Sequence, residues 1–106
     1  VALLDMDAGA LDAAVAALTA DGAQAMAVQA SVTDADAVAR DFAQVAETWG
    51  GIDGLVNNAG IFLAGHISDN TLDDYERTMH VNVRAPFVAI QAVQSAMPDG
   101  GRIINI

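Results

Sequence analysis

Few side chains in this 106-residue chain are equipped for chemistry. There is no cysteine, which excludes thiolate nucleophiles and thiolate metal sites. The four basic residues, Arg40, Arg77, Arg84 and Arg102, are all arginines, so no lysine is present. His66 and His80 lack a ligand spacing such as i, i+4, and they read as solvated loop and helix histidines; no metal site is expected. Amides and carboxylates remain. Asn57-Asn58-Ala59-Gly60 follows an apolar run directly. Two amides and a bare glycine backbone at that point set hydrogen-bonding groups on the carboxyl edge of a sheet, where doubly wound sheets bind ligands. The plainer reading is a generic Asn-Gly turn. Asp5 ends the apolar run Val1-Ala2-Leu3-Leu4. An acid there accepts hydrogen bonds from ribose hydroxyls in dinucleotide folds and repels a 2′-phosphate. Its plainer role is to cap the next helix.

These groups need elements to hold them. Leu11, Val15 and Leu18 recur at helical spacing, and Asp21-Gly22 ends that helix. Ala23 to Ala30 reads as a second strand. Thr33 with Asp36 forms a capping pair that starts a helix with Val38, Phe42, Val45 and Trp49 on one face, and Gly50-Gly51 ends it. Ile52 to Asn57 is a third strand, followed by a tight turn at Asn58-Ala59-Gly60 and a loop to Asn70. Thr71 with Asp74 repeats the capping pair. Leu72, Tyr75, Met79, Val83, Phe87 and Ile90 then trace a stripe along a helix reaching Met97, bent just before Pro86. The acids Asp73, Asp74 and Glu76 suit the positive end of that helix dipole. Trp49 and Tyr75 read as packing residues. Pro98-Asp99-Gly100-Gly101 turns the chain into a fourth strand, Arg102 to Ile106. Strands alternating with helices predict an α/β fold with a parallel sheet, its strands apolar on both faces.

Composition narrows the classes. Fourteen acids against four bases give a formal charge of −10, which repels nucleic acid and anionic membranes. A hydrophobic fraction of 54% is too high for a disordered segment. No run approaches a membrane span, and no signal peptide is visible, so a cytoplasmic setting is expected. The length fits one domain.

The motifs carry a family resemblance. IDGLVNNAG at residues 52–60 resembles the fourth strand of the short-chain dehydrogenase/reductase family, which typically reads D-x-L-V-N-N-A-G. VALLDMD resembles its second strand, ASVTDADAV the end of its third strand, VNVRAPF the middle of its fifth helix and GGRIINI its fifth strand. The order and spacing of all five match, over essentially the whole chain. The resemblance implies a partial Rossmann-type, doubly wound parallel sheet of four strands and three main helices, without the family's first strand and C-terminal part. It implies hydride transfer between nicotinamide and an alcohol or carbonyl carbon. Asp5 would bind the adenosine ribose and favour NAD over NADP, with Met6 where an arginine would have favoured the phosphate. Ser31 and Val32 would flank the adenine, Ser31 standing where the family usually has Asp or Asn. Asn58, Ala59 and Gly60 would line the cofactor ribose. Asn82 matches the family's catalytic asparagine, which holds a water between the active-site lysine and a proton relay. The long helix is where such enzymes often form homodimers or homotetramers.

Other family residues have no counterpart here. The family uses a tyrosine with a lysine four residues later, whose charge lowers the phenol pKa. Four residues after Tyr75 stands Met79. The family's serine is expected beyond Ile106 and its glycine-rich phosphate loop before Val1. Residues 1–106 are therefore expected to form one partial dinucleotide-binding domain, an internal fragment without turnover of its own. In the family's sheet the first strand lies between the second and the fourth, so two halves would face a gap, exposing apolar edges. Two other readings compete. One is a dinucleotide-binding pseudoenzyme. The other is a receiver-like signalling module with LLDMD as its acidic pocket, although receiver chemistry also wants a lysine. A nucleotide-sugar epimerase fits less well, because NNAG marks the shorter enzymes.

Overall fold

The computed structural model describes residues 1–106. The chain runs β1 (Ala2–Asp5), α1 (Ala8–Ala20), β2 (Met26–Gln29), α2 (Ala35–Trp49), β3 (Gly54–Asn57), a 3-10 turn (Ile67–Asp69), α3 (Leu72–Met79), a π-helical turn (His80–Arg84), α4 (Ala85–Val93) and β4 (Arg102–Asn105). Strands and helices alternate as the sequence predicts, and all strand pairing is parallel. The second and third strands are shorter than expected, beginning at Met26 and Gly54.

Helix ends follow local chemistry. Asp7 caps α1, its carboxylate accepting the Ala10 N–H at 3.0 Å. The expected Thr33–Asp36 pair does not start α2. Asp34 does, accepting from the Ala37 N–H at 3.0 Å, because the Thr33 hydroxyl is already engaged with Ser31 Oγ at 2.8 Å. Gly50 ends α2 in the left-handed region, with φ 81°, which glycine adopts without a Cβ penalty. Thr71 and Asp74 form the expected capping box. Hydrogen bonds from the Thr71 hydroxyl and amide hold the Asp74 carboxyl below the usual carboxylate range.

The expected long helix is interrupted. Its axis opens into the π turn, where Ala85 N–H reaches back to the His80 carbonyl, and Pro86 sits in the first turn of α4. The regular helix ends at Val93 rather than Met97. The predicted stripe is apolar but faces outward: Leu72, Tyr75, Val83 and Phe87 are exposed. Ala85, Ala89 and Val93 form the buried face instead. Small side chains at i, i+4 and i+8 let the helix approach its neighbours, and Ala89 and Val93 pack with Val38 of α2 and Leu55 of β3. Trp49 and Tyr75 are both exposed, so neither is a core residue.

The sheet is in two pieces. β1 pairs with β2, Ala2 opposite Met26 and Asp5 opposite Gln29. β3 pairs with β4, Gly54 opposite Arg102 and Asn57 opposite Asn105. No ladder joins the two pairs. The strands are not covered on both faces, and every residue of β4 is exposed. The radius of gyration is 15.3 Å, against about 13 Å for a compact domain of this length.

Candidate functional site

The carboxyl ends of β1, β2 and β3 carry the candidate residues. Asp5 is the last residue of β1, and its Oδ1 accepts the Asp7 N–H at 3.0 Å. That bond shapes the turn into α1 and leaves the second carboxylate oxygen to a ligand. Asp5 therefore serves the local turn and is exposed. Gln29, opposite Asp5, donates from Nε2 to the Met6 carbonyl at 3.3 Å and ties the same turn to β2. The first 39 residues contain no basic side chain, so nothing near Asp5 along the chain offsets its charge.

The loop after β2 is ordered by its own hydroxyls. Ser31 Oγ accepts the Thr33 N–H at 3.3 Å and lies 2.8 Å from Thr33 Oγ1. Ser31 and Val32 are half-buried. Arg84 Nη1 donates to the Thr33 carbonyl at 3.1 Å, linking this loop to the π turn.

The loop after β3 is held from the same turn. Asn82 Oδ1 accepts the Ile61 N–H at 2.9 Å, and Asn82 Nδ2 donates to the Ile61 carbonyl at 2.8 Å. One amide thus pairs with one residue's backbone as a neighbouring strand would, and both ends of the side chain are occupied. Four residues on, Pro86 has no N–H to give the Asn82 carbonyl. Gly60 does not have the positive φ expected for a tight turn. A Cβ there would meet Asn82 Oδ1 at 3.5 Å, an ordinary contact distance, so neither backbone angle nor space requires glycine at this position. Asn58, Ala59 and Gly60 are exposed, so their backbone is open to a ligand. Asn57 Nδ2 donates to Asn105 Oδ1 at 2.8 Å, pairing the ends of β3 and β4.

A cavity of about 650 Å³ runs between the two strand pairs. Its lining includes Asp5, Val32, Asn57, Asn58 and Ala59 from the strand ends and is otherwise mainly apolar, with Leu3, Val38, Val45 and Leu55. Four expected cofactor residues, Asp5, Val32, Asn58 and Ala59, are among its lining residues, whereas Ser31, Gly60 and Asn82 are not. The amide tie to Ile61, the Arg84 tie to Thr33 and the Gln29 tie to Met6 were not found from sequence. Each spans 21 residues or more, beyond any local pattern. The Asn57–Asn105 pair had a signal, because both residues end apolar strands.

The histidines offer little. Ser68 Oγ lies 2.7 Å from His66 Nδ1 and donates to Asp69 Oδ1 at 3.2 Å. The carboxylate therefore holds the serine and not the imidazole, the reverse of a hydrolytic triad. His66 instead caps the 3-10 turn. No group of three or more His, Asp or Glu side chains is gathered for a metal ion.

A family model described as short chain dehydrogenase matches residues 1–106. Sorbitol dehydrogenase of Cereibacter sphaeroides is 38% identical over 109 residues, covering 100% of this chain and 41% of its own length. A blue fluorescent protein from a metagenomic library, solved in complex with NADPH, is 53% identical with a TM-score of 0.88, over 98% of this chain and 43% of its own. A short chain dehydrogenase of Burkholderia cenocepacia in complex with NADP is 47% identical with a TM-score of 0.91, at the same coverages. The chain spans about a third to two fifths of the length of the curated relatives it matches. With the strand order, the NNAG segment and the π turn at Asn82 in one frame, the chain belongs to the short-chain dehydrogenase/reductase family of oxidoreductases.

Proposed function

We propose that residues 1–106 are a single partial dinucleotide-binding domain, the central portion of an NAD-dependent reductase or dehydrogenase acting on an alcohol or carbonyl carbon. One observation carries this reading: Asp5, Val32, Asn58 and Ala59, from three different strand ends, all line the cavity between the two strand pairs. The groups present fit a dinucleotide. Asp5 has a carboxylate oxygen to accept from the adenosine ribose, Ser31 and Val32 flank the adenine, and Asn58, Ala59 and Gly60 offer open backbone to the second ribose. The bound nicotinamide supplies the hydride acceptor or donor. Asn82 is the catalytic asparagine. Because Ile61 occupies both ends of its amide, the group it offers a water is its backbone carbonyl, opposite the missing N–H of Pro86. The tyrosine, lysine and serine of the family's proton chemistry are supplied from outside these residues, and the segment alone has no turnover. A pseudoenzyme would bind the dinucleotide equally and differ only there.

The exposed Leu72, Tyr75, Val83 and Phe87 stripe supports a homodimer or homotetramer built on this helix. No helix is long and apolar enough to cross a membrane.

NAD is preferred over NADP because the Asp5 carboxylate would face a 2′-phosphate, and no base lies within the first 39 residues to neutralise it. The bound NADPH and NADP of the two solved relatives favour the opposite choice. Titration of the full-length gene product with both dinucleotides decides between them. NAD is expected to bind at least tenfold more tightly, and Asp5→Ser with Met6→Arg is expected to reverse the order. A clear preference for NADP(H) in the unmodified protein would overturn the role given to Asp5.

A further inference from the structure

The loops after β2 and β3 belong to different strand pairs. β1 and β2 form one pair and β3 and β4 another, without a shared ladder. Yet both loops are gripped by the five-residue π turn. Asn82 holds Ile61 in the loop after β3, and Arg84 holds the Thr33 carbonyl in the loop after β2. No other side-chain hydrogen bond joins the Ser31–Thr33 loop to the helix: its remaining ones stay inside the loop or its own cap. Arg84 and Thr33 also face the same open groove, with His80, Arg77, Asp73 and Glu76. Arg84 is two residues from Asn82, so a change at one grip moves the frame of the other.

We infer that Arg84 is a positioning residue for the adenine end of the cofactor: its guanidinium holds the Thr33 carbonyl and so sets where Ser31 and Val32 stand. This rests on the proposed binding of adenine by Ser31 and Val32. The ion is suited to the task. A guanidinium stays charged at every working pH and makes a charge-assisted bond to a carbonyl. It carries no salt bridge that would compete for it, since the only ion pair in the chain is Arg77 with Asp74. The role is one of placement, because Arg84 reaches the loop backbone and not the ligand.

Calorimetry on the full-length gene product tests this with two probes, NAD and adenosine. Arg84→Met is expected to weaken both by the same factor, roughly three- to tenfold for one partly exposed hydrogen bond. KM for NAD is expected to rise while kcat holds, and Arg84→Lys should recover part of the loss. Unchanged binding of both probes by Arg84→Met, with the unmodified protein binding normally, would overturn the inference and leave the proposed function standing. A loss confined to NAD would also overturn it, since Arg84 would then be touching phosphate. If the unmodified protein binds neither probe, the proposed function itself fails and the inference goes with it.

Discussion

The β1–α1–β2 layer and the α2–β3–α4–β4 layer are built to different standards. The first contributes one buried residue, Leu11; the second contributes the other seven, with Val93 fully enclosed. The first has no base among its residues and presents Asp5 and Asp7 at its rim. The second carries the amide tie of Asn82 to Ile61 and the paired ends Asn57 and Asn105. The layer proposed to recognise adenosine is thus loosely held, while the layer proposed to carry the chemistry has its own core. Selectivity groups tolerate a soft support because a ligand can pull them into place. A group that must hold a water within hydrogen-bond distance does not.

Three experiments would break or sharpen this contrast. The largest expected effect concerns the isolated chain, whose two strand pairs face an open cavity. Denaturant titration should show no single cooperative transition, and the exposed apolar edges should drive association. One transition worth several kcal/mol would mean that the layers stand as one unit. A smaller effect is expected from truncating each core. In the full-length gene product Leu55→Ala should cost about 2–5 kcal/mol, with Leu11→Ala toward the low end because the other side chains of its layer are only partly buried and can relax into the space. Equal or reversed costs, measured by denaturation, would remove the contrast. The smallest effect lies at the start of α3. The folded Asp74 carboxyl titrates below its unfolded counterpart, so its capping contribution is present above the ordinary carboxylate range. That contribution is lost as pH falls through the lowered value. Asp74→Asn should therefore shorten α3 slightly at neutral pH, and the difference in helicity by circular dichroism should vanish in acid.

Legibility in the sequence divides along physical lines. Thr71 with Asp74 was readable because both partners lie within one turn, and the strand order was readable from alternation alone. At the start of α2 two adjacent candidates, Thr33 and Asp34, both suit a cap, and the Ser31 hydroxyl decides between them. The stripe from Leu72 to Phe87 shows why periodicity has a limit: it tells which side chains share a face, and not whether that face looks inward. Asn82 was marked by resemblance, but its partner Ile61 was not, and neither was Arg84, whose contact lies 51 residues away. Gly60 suggests a tight turn in the sequence, yet its φ is not positive and a Cβ there would meet Asn82 Oδ1 only at ordinary contact distance.

The π turn has an evolutionary corollary. A five-residue turn holds one more residue than an α-helical register allows, and each residue advances a helix by about 100°. Losing a single codon between His80 and Arg84 would restore an unbroken α-helix and swivel everything before it by that angle. The capped end at Thr71 would swing with it, and the exposed apolar stripe would be cut in two. Insertions and deletions, ordinarily absorbed by surface loops, should thus be filtered out in these five positions even though all of them lie near the surface.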